Sequence, residues 1–395
     1  MKITDIRMLC LSRPHEAEAI WFSSKFRVFK ADCPIVILET DEGIQGISEP
    51  STYGNATYMR QRLEEMKPRL VGKDIDDPSL LPANDGHREN DITNAGIELA
   101  LWDIRGKAAG KRVADLIIDQ FPGPPRQPRE RFRLYASAGV QYDWDDNPES
   151  VIDEAVALAD KGFTAYKMRI GTHWAWSGVT MDRLLKLLQK VTDAVGDRME
   201  LMLEGNSRFT EEQAWEVGQW LDDHEWTWFE EPLDLDRDGS RLPNPEQVDA
   251  YARLNEGLKI AITGGESNSM LEMFEPCFRK KAYAKGQLDV GVCGLAEAIR
   301  IWKRGKECDV PVFVQNWHNG LLTVSNAHFL AALPESSVLE TFVGQGPLQW
   351  DIIKENPIDK GYFTLPDGPG WGVEVADDLE ERFPWIDGPW GVEEK

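Results

Sequence analysis

What most restricts the fold of this 395-residue chain is an alternating series in its second half, in which short apolar runs closing on polar or charged residues are separated mostly by stretches of helical length. The runs are LYASAGV, AYKMRIG, ELMLEGN, WTWFEEP, IAITGGES, QLDVGVC, VPVFVQNWH and VLETFV. Strand–helix alternation places such strands side by side and parallel. About eight of them over roughly 220 residues indicate a parallel (β/α) barrel more than an open sheet.

A chain this long exceeds what one hydrophobic core usually supports, so a second domain is expected. Residues 1–50 read as strands, with Asp41-Glu42-Gly43 as a turn between two β-rich runs. From about residue 56 the pattern turns helical, and Ile97, Leu101 and Ile104 share one helical face. The Pro- and Arg-rich stretch 120–132 then marks a boundary. These features divide the chain into an α+β unit at 1–125, completed by a strand-and-turn tail at 355–395, and a barrel at 126–354.

The net charge of −24 opposes binding to nucleic acid or anionic membranes, which need a basic surface. An anionic substrate would need local positive charge from a metal, Lys or Arg. Five dispersed cysteines without a CxxC pair fit reduced thiols in a cytoplasm. No run approaches the roughly 20 apolar residues of a membrane span, and the N-terminus lacks a signal-peptide pattern. The glycine-rich 368–372 segment lacks the context of a dinucleotide fingerprint, and GKAAGKR is too short for a phosphate-binding loop.

In a parallel barrel, functional groups sit at the carboxyl ends of strands. Strands three, four and five deliver Glu204, Glu230 and Glu266. Three converging carboxylates repel unless a cation neutralises them, and hard oxygen ligands suit Mg²⁺. On strand two the period of two turns Lys167 and Arg169 to the same interior face. Asp289 and His318 close strands six and seven, neighbours in a barrel, where a carboxylate fixes the imidazole tautomer and raises its basicity. Glu340 ends strand eight and, if protonated, could donate to a substrate carboxylate. Each of these groups read alone is as well explained by an ordinary strand-end acid, a structural ion pair or a satisfied core histidine; their order carries the assignment.

The order KMR, EGN, FEEP, GGES, Asp289 and NWH, with ALWDIRGKAAGK before the barrel and DGPGWGVEV after it, resembles the enolase superfamily, mandelate racemase subgroup. The resemblance covers essentially the whole chain. It implies an α/β fold, a modified TIM barrel of the (β/α)7β type capped by an α+β domain. It also implies Mg²⁺ on Glu204, Glu230 and Glu266, a His318–Asp289 dyad, and a Lys or His base generating an ene-diolate that the metal stabilises. Loops of the capping domain would select the substrate, which points to Trp21, Ser24, Lys25 and Tyr53, with Asn206, His173, Trp174 and Trp176 near the mouth. A homo-oligomer is expected.

Two departures from the subgroup pattern stand out. Glu204 occupies a position more often held by Asp. Arg169 replaces the second lysine of a Lys-x-Lys pair, and a guanidinium is a poor base but a good anchor for a carboxylate or hydroxyl. Racemisation needs proton exchange on both faces of the α-carbon, whereas elimination of water can proceed with one base and an acid for the leaving hydroxyl. The expected activity is therefore dehydration of an acid sugar to a 2-keto-3-deoxy acid. The alternatives are a racemase or epimerase of a 2-hydroxy acid, then a cycloisomerase, and, outside catalysis, a sugar-acid-binding relative. A zinc hydrolase is disfavoured because the chain has no His-x-His.

Overall fold

The apolar runs form eight strands: Arg131–Ala138, Ala165–Arg169, Glu200–Glu204, Trp228–Glu230, Ala261–Gly264, Lys285–Leu288, Val312–Val314 and Val338–Phe342, barrel strands one to eight. The computed structural model describes residues 1–393 apart from 23–25, 122–125, 143, 171–178, 234–241, 336–337 and 345. Strands one to seven pair in chain order, each parallel to the next, and strand eight pairs with strand one, Glu340 opposite Tyr135. Between strands seven and eight the described residues form no ladder. Asn316 bridges that seam, donating from its backbone N–H to Glu340 Oε2 (2.7 Å) and from its side-chain amide to the Glu340 carbonyl (2.9 Å). Below the mouth, Trp228 meets Tyr135 edge-on at 5.2 Å and Phe313 at 5.4 Å, filling the interior with aromatic rings.

The surrounding helices follow from spacing. Met181–Val195 buries Leu184, Leu187, Leu188, Val191 and Val195, one stripe at helical period, and Thr180 caps it by accepting from the Arg183 amide. Among the described residues no helix is long and apolar enough to cross a membrane.

The N-terminal domain is an antiparallel sheet of Ile3–Pro14, Lys30–Thr40 and Gln45–Ser48 covered by the helices Ala56–Leu70 and Arg88–Ala109. The turn at Asp41-Glu42-Gly43 is present, with Gly43 at φ +77. Gly46 lets the second helix lie close on the sheet: a Cβ there would stand 2.2 Å from the Ala100 carbonyl oxygen. Five buried or half-buried free cysteines are present, as expected for reduced thiols.

The tail divides between both domains instead of simply completing the N-terminal one. Tyr362–Thr364 pairs antiparallel with barrel strand one, because Phe363 opposite Phe132 continues the barrel's apolar floor. Trp371 goes the other way. Its backbone N–H donates to Asp103 Oδ1 (2.9 Å), its indole donates to the Ile47 carbonyl (2.9 Å), and its own carbonyl accepts from His328 Nε2 (3.0 Å). His328 Nδ1 accepts from the Ala114 amide (3.1 Å), and burial lowers this imidazole's pKa to about 4, so one nitrogen donates and the other accepts. Gly391–Glu393 pairs with Phe26–Val28.

Asp103 thus joins sheet, helix and tail through the Ile47 and Trp371 amides and the Lys107 ammonium. Asp103→Ala leaves two buried N–H groups without an acceptor. It should cost roughly 3 kcal/mol, read as a lower urea midpoint, with the barrel's far-ultraviolet signal retained below the transition.

Candidate active site

The interior side chains near the carboxyl ends of the barrel strands meet around one ammonium. Lys167 Nζ lies 2.5 Å from Glu230 Oε1, 2.9 Å from Glu340 Oε1 and 3.5 Å from Glu204 Oε2, all fully buried. Burial alone would lower the lysine's pKa, but the Glu230, Glu340 and Glu204 carboxylates raise it well above the usual range, so Lys167 holds its proton. Arg169, two residues on, stacks its guanidinium 4.2 Å from the Trp317 ring centroid.

Glu204, Glu230 and Glu266 each bring an oxygen within 4.8 Å of the others. Glu204 is longer than the aspartate more usual there, and its extra reach is used locally. Its Oε1 accepts from the Asn206 amide (2.7 Å), while Oε2 is buried and, among the described residues, has only the 3.5 Å approach of Lys167 Nζ and no hydrogen bond. Burial, and then repulsion from Glu230, raise the pKa of Glu204 well above the carboxylate range; burial and Glu230 also raise that of Glu266. Carboxyls in this condition take up a proton or a cation. The donors fit a hard divalent ion: oxygen only, one oxygen free of other bonds, and four carboxylates facing two basic side chains.

Glu340 departs from expectation twice. It lies in the middle of strand eight, which continues to Phe342, and it is not a protonated donor. Burial raises its pKa, but the Lys167 ammonium, the Asn316 amide and the Ser137 hydroxyl outweigh burial and hold it below the usual range. It is an ionised partner of Lys167. Asp289 likewise lies just past strand six, where it caps the short helix Val290–Cys293 through the Gly291 amide (2.8 Å).

The imidazole of His318 is buried, with Nε2 2.7 Å from Asp289 Oδ2 and Nδ1 without a hydrogen-bond partner among the described residues. Burial lowers its pKa, but Asp289, Glu49 and Glu340 together raise it above the ordinary value. Tyr53 meets the ring edge-on at 5.3 Å and accepts from Gln315 at 2.9 Å. Trp21 packs against Trp317 (5.6 Å) and Phe342 (5.6 Å), so the structure brings Trp21 and Tyr53 to one cleft beside Arg169 and His318. Asn206 is beside Glu204. Ser24, Lys25, His173, Trp174 and Trp176 lie outside the described residues.

Sequence reasoning missed Glu231, Asn316 and Glu49. Glu231, at φ 41, turns aside from Glu230 and ties the Gly265 amide (2.6 Å) to the Ser207 hydroxyl (3.4 Å), bracing the ends of strands three, four and five. Its place in FEEP was the available signal. Roomier clefts of about 590 and 730 Å³ touch none of the clustered acids, so size does not mark this site.

Residues 150–379 match the enolase C-terminal domain-like family, and residues 21–117 match the mandelate racemase / muconate lactonizing enzyme N-terminal domain. D-galactarolactone cycloisomerase of Agrobacterium fabrum is 28% identical over 411 positions, spanning 97% of this chain and 99% of its own. Arabinonate dehydratase of Saccharolobus solfataricus is 28% identical over 357 positions, 88% of this chain and 89% of its own. The crystal structure of an enolase superfamily member from Polaromonas sp. JS666 superposes with a TM-score of 0.81 at 25% identity, over 98% of this chain and 99% of the other.

Lys167→Met removes the cation shared by Glu204, Glu230 and Glu340, so the pKa of Glu204, already raised by burial, rises further and Glu340 loses the ammonium that opposes its burial. The folded protein then binds more protons than the unfolded one, and stability falls as pH rises. In the presence of chelator the variant should be destabilised more at pH 8 than at pH 5, seen as a larger drop in thermal midpoint relative to the parent at the higher pH.

Proposed function

The chain belongs to the mandelate racemase / muconate lactonizing enzyme family of the enolase superfamily, and we propose on that premise that it is a magnesium-dependent acid-sugar dehydratase. Acid-sugar chemistry is common to the relatives named above. The observation that carries the finer reading is the asymmetry of the proton-handling groups. One side of the mouth has an imidazole paired with a buried carboxylate and one ring nitrogen without a hydrogen-bond partner among the described residues. The other has Lys167, which its three carboxylates keep protonated, and Arg169, a donor-only group.

Glu204, Glu230 and Glu266 would hold the ion. A divalent cation there neutralises a substrate carboxylate and stabilises the charge that develops when the α-proton leaves. Arg169, steadied on Trp317, offers a fork of donors to the substrate's carboxylate or a hydroxyl. His318 exchanges the proton: Nδ1 accepts it from the α-carbon and, in the charged form so produced, delivers it to the departing β-hydroxyl, while Asp289 holds the ring and stabilises the imidazolium. The α-carbon–hydrogen and β-carbon–oxygen bonds break, the hydroxyl leaves as water, and the enol formed ketonises to a 2-keto-3-deoxy acid.

The near full-length match to a D-galactarolactone cycloisomerase supports a second reading. In it the same α-proton is taken, but the leaving oxygen belongs to a ring and stays tethered to the product. A panel of aldonic acids, aldaric acids and their lactones, assayed with Mg²⁺, separates the two by which members are consumed.

Exhaustive chelation should abolish turnover and Mg²⁺ restore it, and Glu230→Gln should lose Mg²⁺ affinity by calorimetry; undiminished affinity in that variant would remove the proposed site. His318→Asn should keep Mg²⁺ binding and lose at least the ~10²-fold in turnover typical of general acid–base groups. In D₂O the active substrate should give a ketone carrying deuterium at C3. Recovery of a deuterated C2 epimer without ketone would instead establish a racemase.

A further inference from the structure

We infer that Glu49 of the N-terminal domain is the positioning residue for His318: its carboxylate caps the barrel helix that begins beside the histidine and thereby holds the imidazole in place. This rests on the reading of His318 as the proton-transfer group. Glu49 follows the strand Gln45–Ser48 and is fully buried. Its Oε1 accepts from the Asn319 backbone N–H (3.2 Å) and side-chain amide (3.0 Å), and its Oε2 accepts from the Leu322 N–H (3.0 Å). These donors surround the start of the helix Gly320–Ala332, which has Asn319 as its N-cap.

An asparagine at that position ordinarily turns its own oxygen onto the amide two or three residues ahead. Asn319 makes no such bond, and its amide donates both to Glu49 and to the Asp32 carbonyl (3.1 Å), a second link to the N-terminal sheet. The helix is therefore capped by another domain. Among the described residues no Lys or Arg pairs with Glu49, so burial pushes its pKa up to about 6 against the opposing pull of His318 and the Leu322 and Asn319 donors. A cap alone would not call for this arrangement, because Asn319 could supply one without burying a charge. A negative group held on the backbone amide of the residue that follows the proton-transfer histidine does account for it.

His318 is held from several directions. Asp289 takes its ring nitrogen, Tyr53 packs against the ring edge, and its carbonyl accepts from Gln349 (3.4 Å). Among the described residues the negative groups that raise its pKa most are Asp289, Glu49 and Glu340. Glu49 is the one that arrives from the N-terminal domain, so docking of that domain completes the histidine's surroundings.

Glu49→Gln is isosteric but leaves a single acceptor oxygen, so either Leu322 or Asn319 then faces an NH₂ group. The test uses the full-length, Mg²⁺-loaded protein. The His318 imidazole is followed by NMR over pH, its signal assigned by loss in His318→Asn, and turnover is measured on the panel substrate. We expect His318 to titrate at lower pH, kcat to fall roughly 10- to 100-fold with little change in KM, and Mg²⁺ affinity to be kept. An unmoved His318 titration in a folded variant overturns the inference, whatever happens to turnover. A shifted titration with undiminished turnover overturns the positioning role and leaves the proton-transfer role of His318 standing, since that role is tested by His318→Asn, which separates this failure from that of the proposed function. If Glu49→Gln does not fold, Asn319→Ala removes one donor and leaves the backbone amides on the carboxylate. It should broaden or split the His318 signal and lower kcat, and an unaltered signal overturns the inference.

Discussion

The ammonium of Lys167, enclosed by Glu204, Glu230 and Glu340, is the interaction on which the rest of the mouth depends. Carboxylates this close in a medium of low dielectric repel by several kcal/mol, and the repulsion is tolerable only while cations sit among them. One lysine does not balance the set. Burial, and then repulsion from Glu230, raise the pKa values of Glu204 and Glu266, and a divalent ion is suited to offset both. The aromatic plug of Trp228, Tyr135 and Phe313 lies next to this charge, and the Trp228 indole donates to Glu230 Oε2 (3.2 Å), tying the apolar floor to the polar mouth.

Around this centre the chain uses buried polar side chains as joints between parts that have no continuous strand pairing. Asn316 joins barrel strands seven and eight, Asp103 and His328 join the tail to both domains, and Glu49 joins the N-terminal sheet to the helix after His318. Each joint satisfies backbone groups that would otherwise be buried without partners, which makes docking geometry specific as well as favourable. Cap and barrel are thus fixed relative to one another at the point where the candidate chemistry takes place.

The exchange of a second lysine for Arg169 acquires a structural meaning beside Trp317. A planar guanidinium can stack on an indole and still present its fork of donors, which an ammonium cannot do. The same tryptophan stacks on Phe342 at 3.7 Å and borders Trp21, so the wall that steadies the arginine also shapes the cleft. The proposed elimination from a sugar acid assigns orientation to strand two and proton exchange to strand seven.

By itself the sequence determined the barrel, because alternation of apolar runs and helical segments leaves few other arrangements. It also determined which strand ends carry Glu204, Glu230, Glu266, Lys167, Arg169, Asp289 and His318, since a period of two and the rule of carboxyl ends are local properties. The tertiary structure decided what depends on distant partners. Whether Glu340 is charged is set by Lys167, 173 residues away in the chain, and by Asn316 just past the neighbouring strand. The split of the tail between barrel and N-terminal domain follows from where Phe363 and Trp371 find burial. Glu49 was illegible because a lone acid after a strand in one domain acquires its role from helix amides in the other, 270 residues on, and no local pattern encodes that meeting.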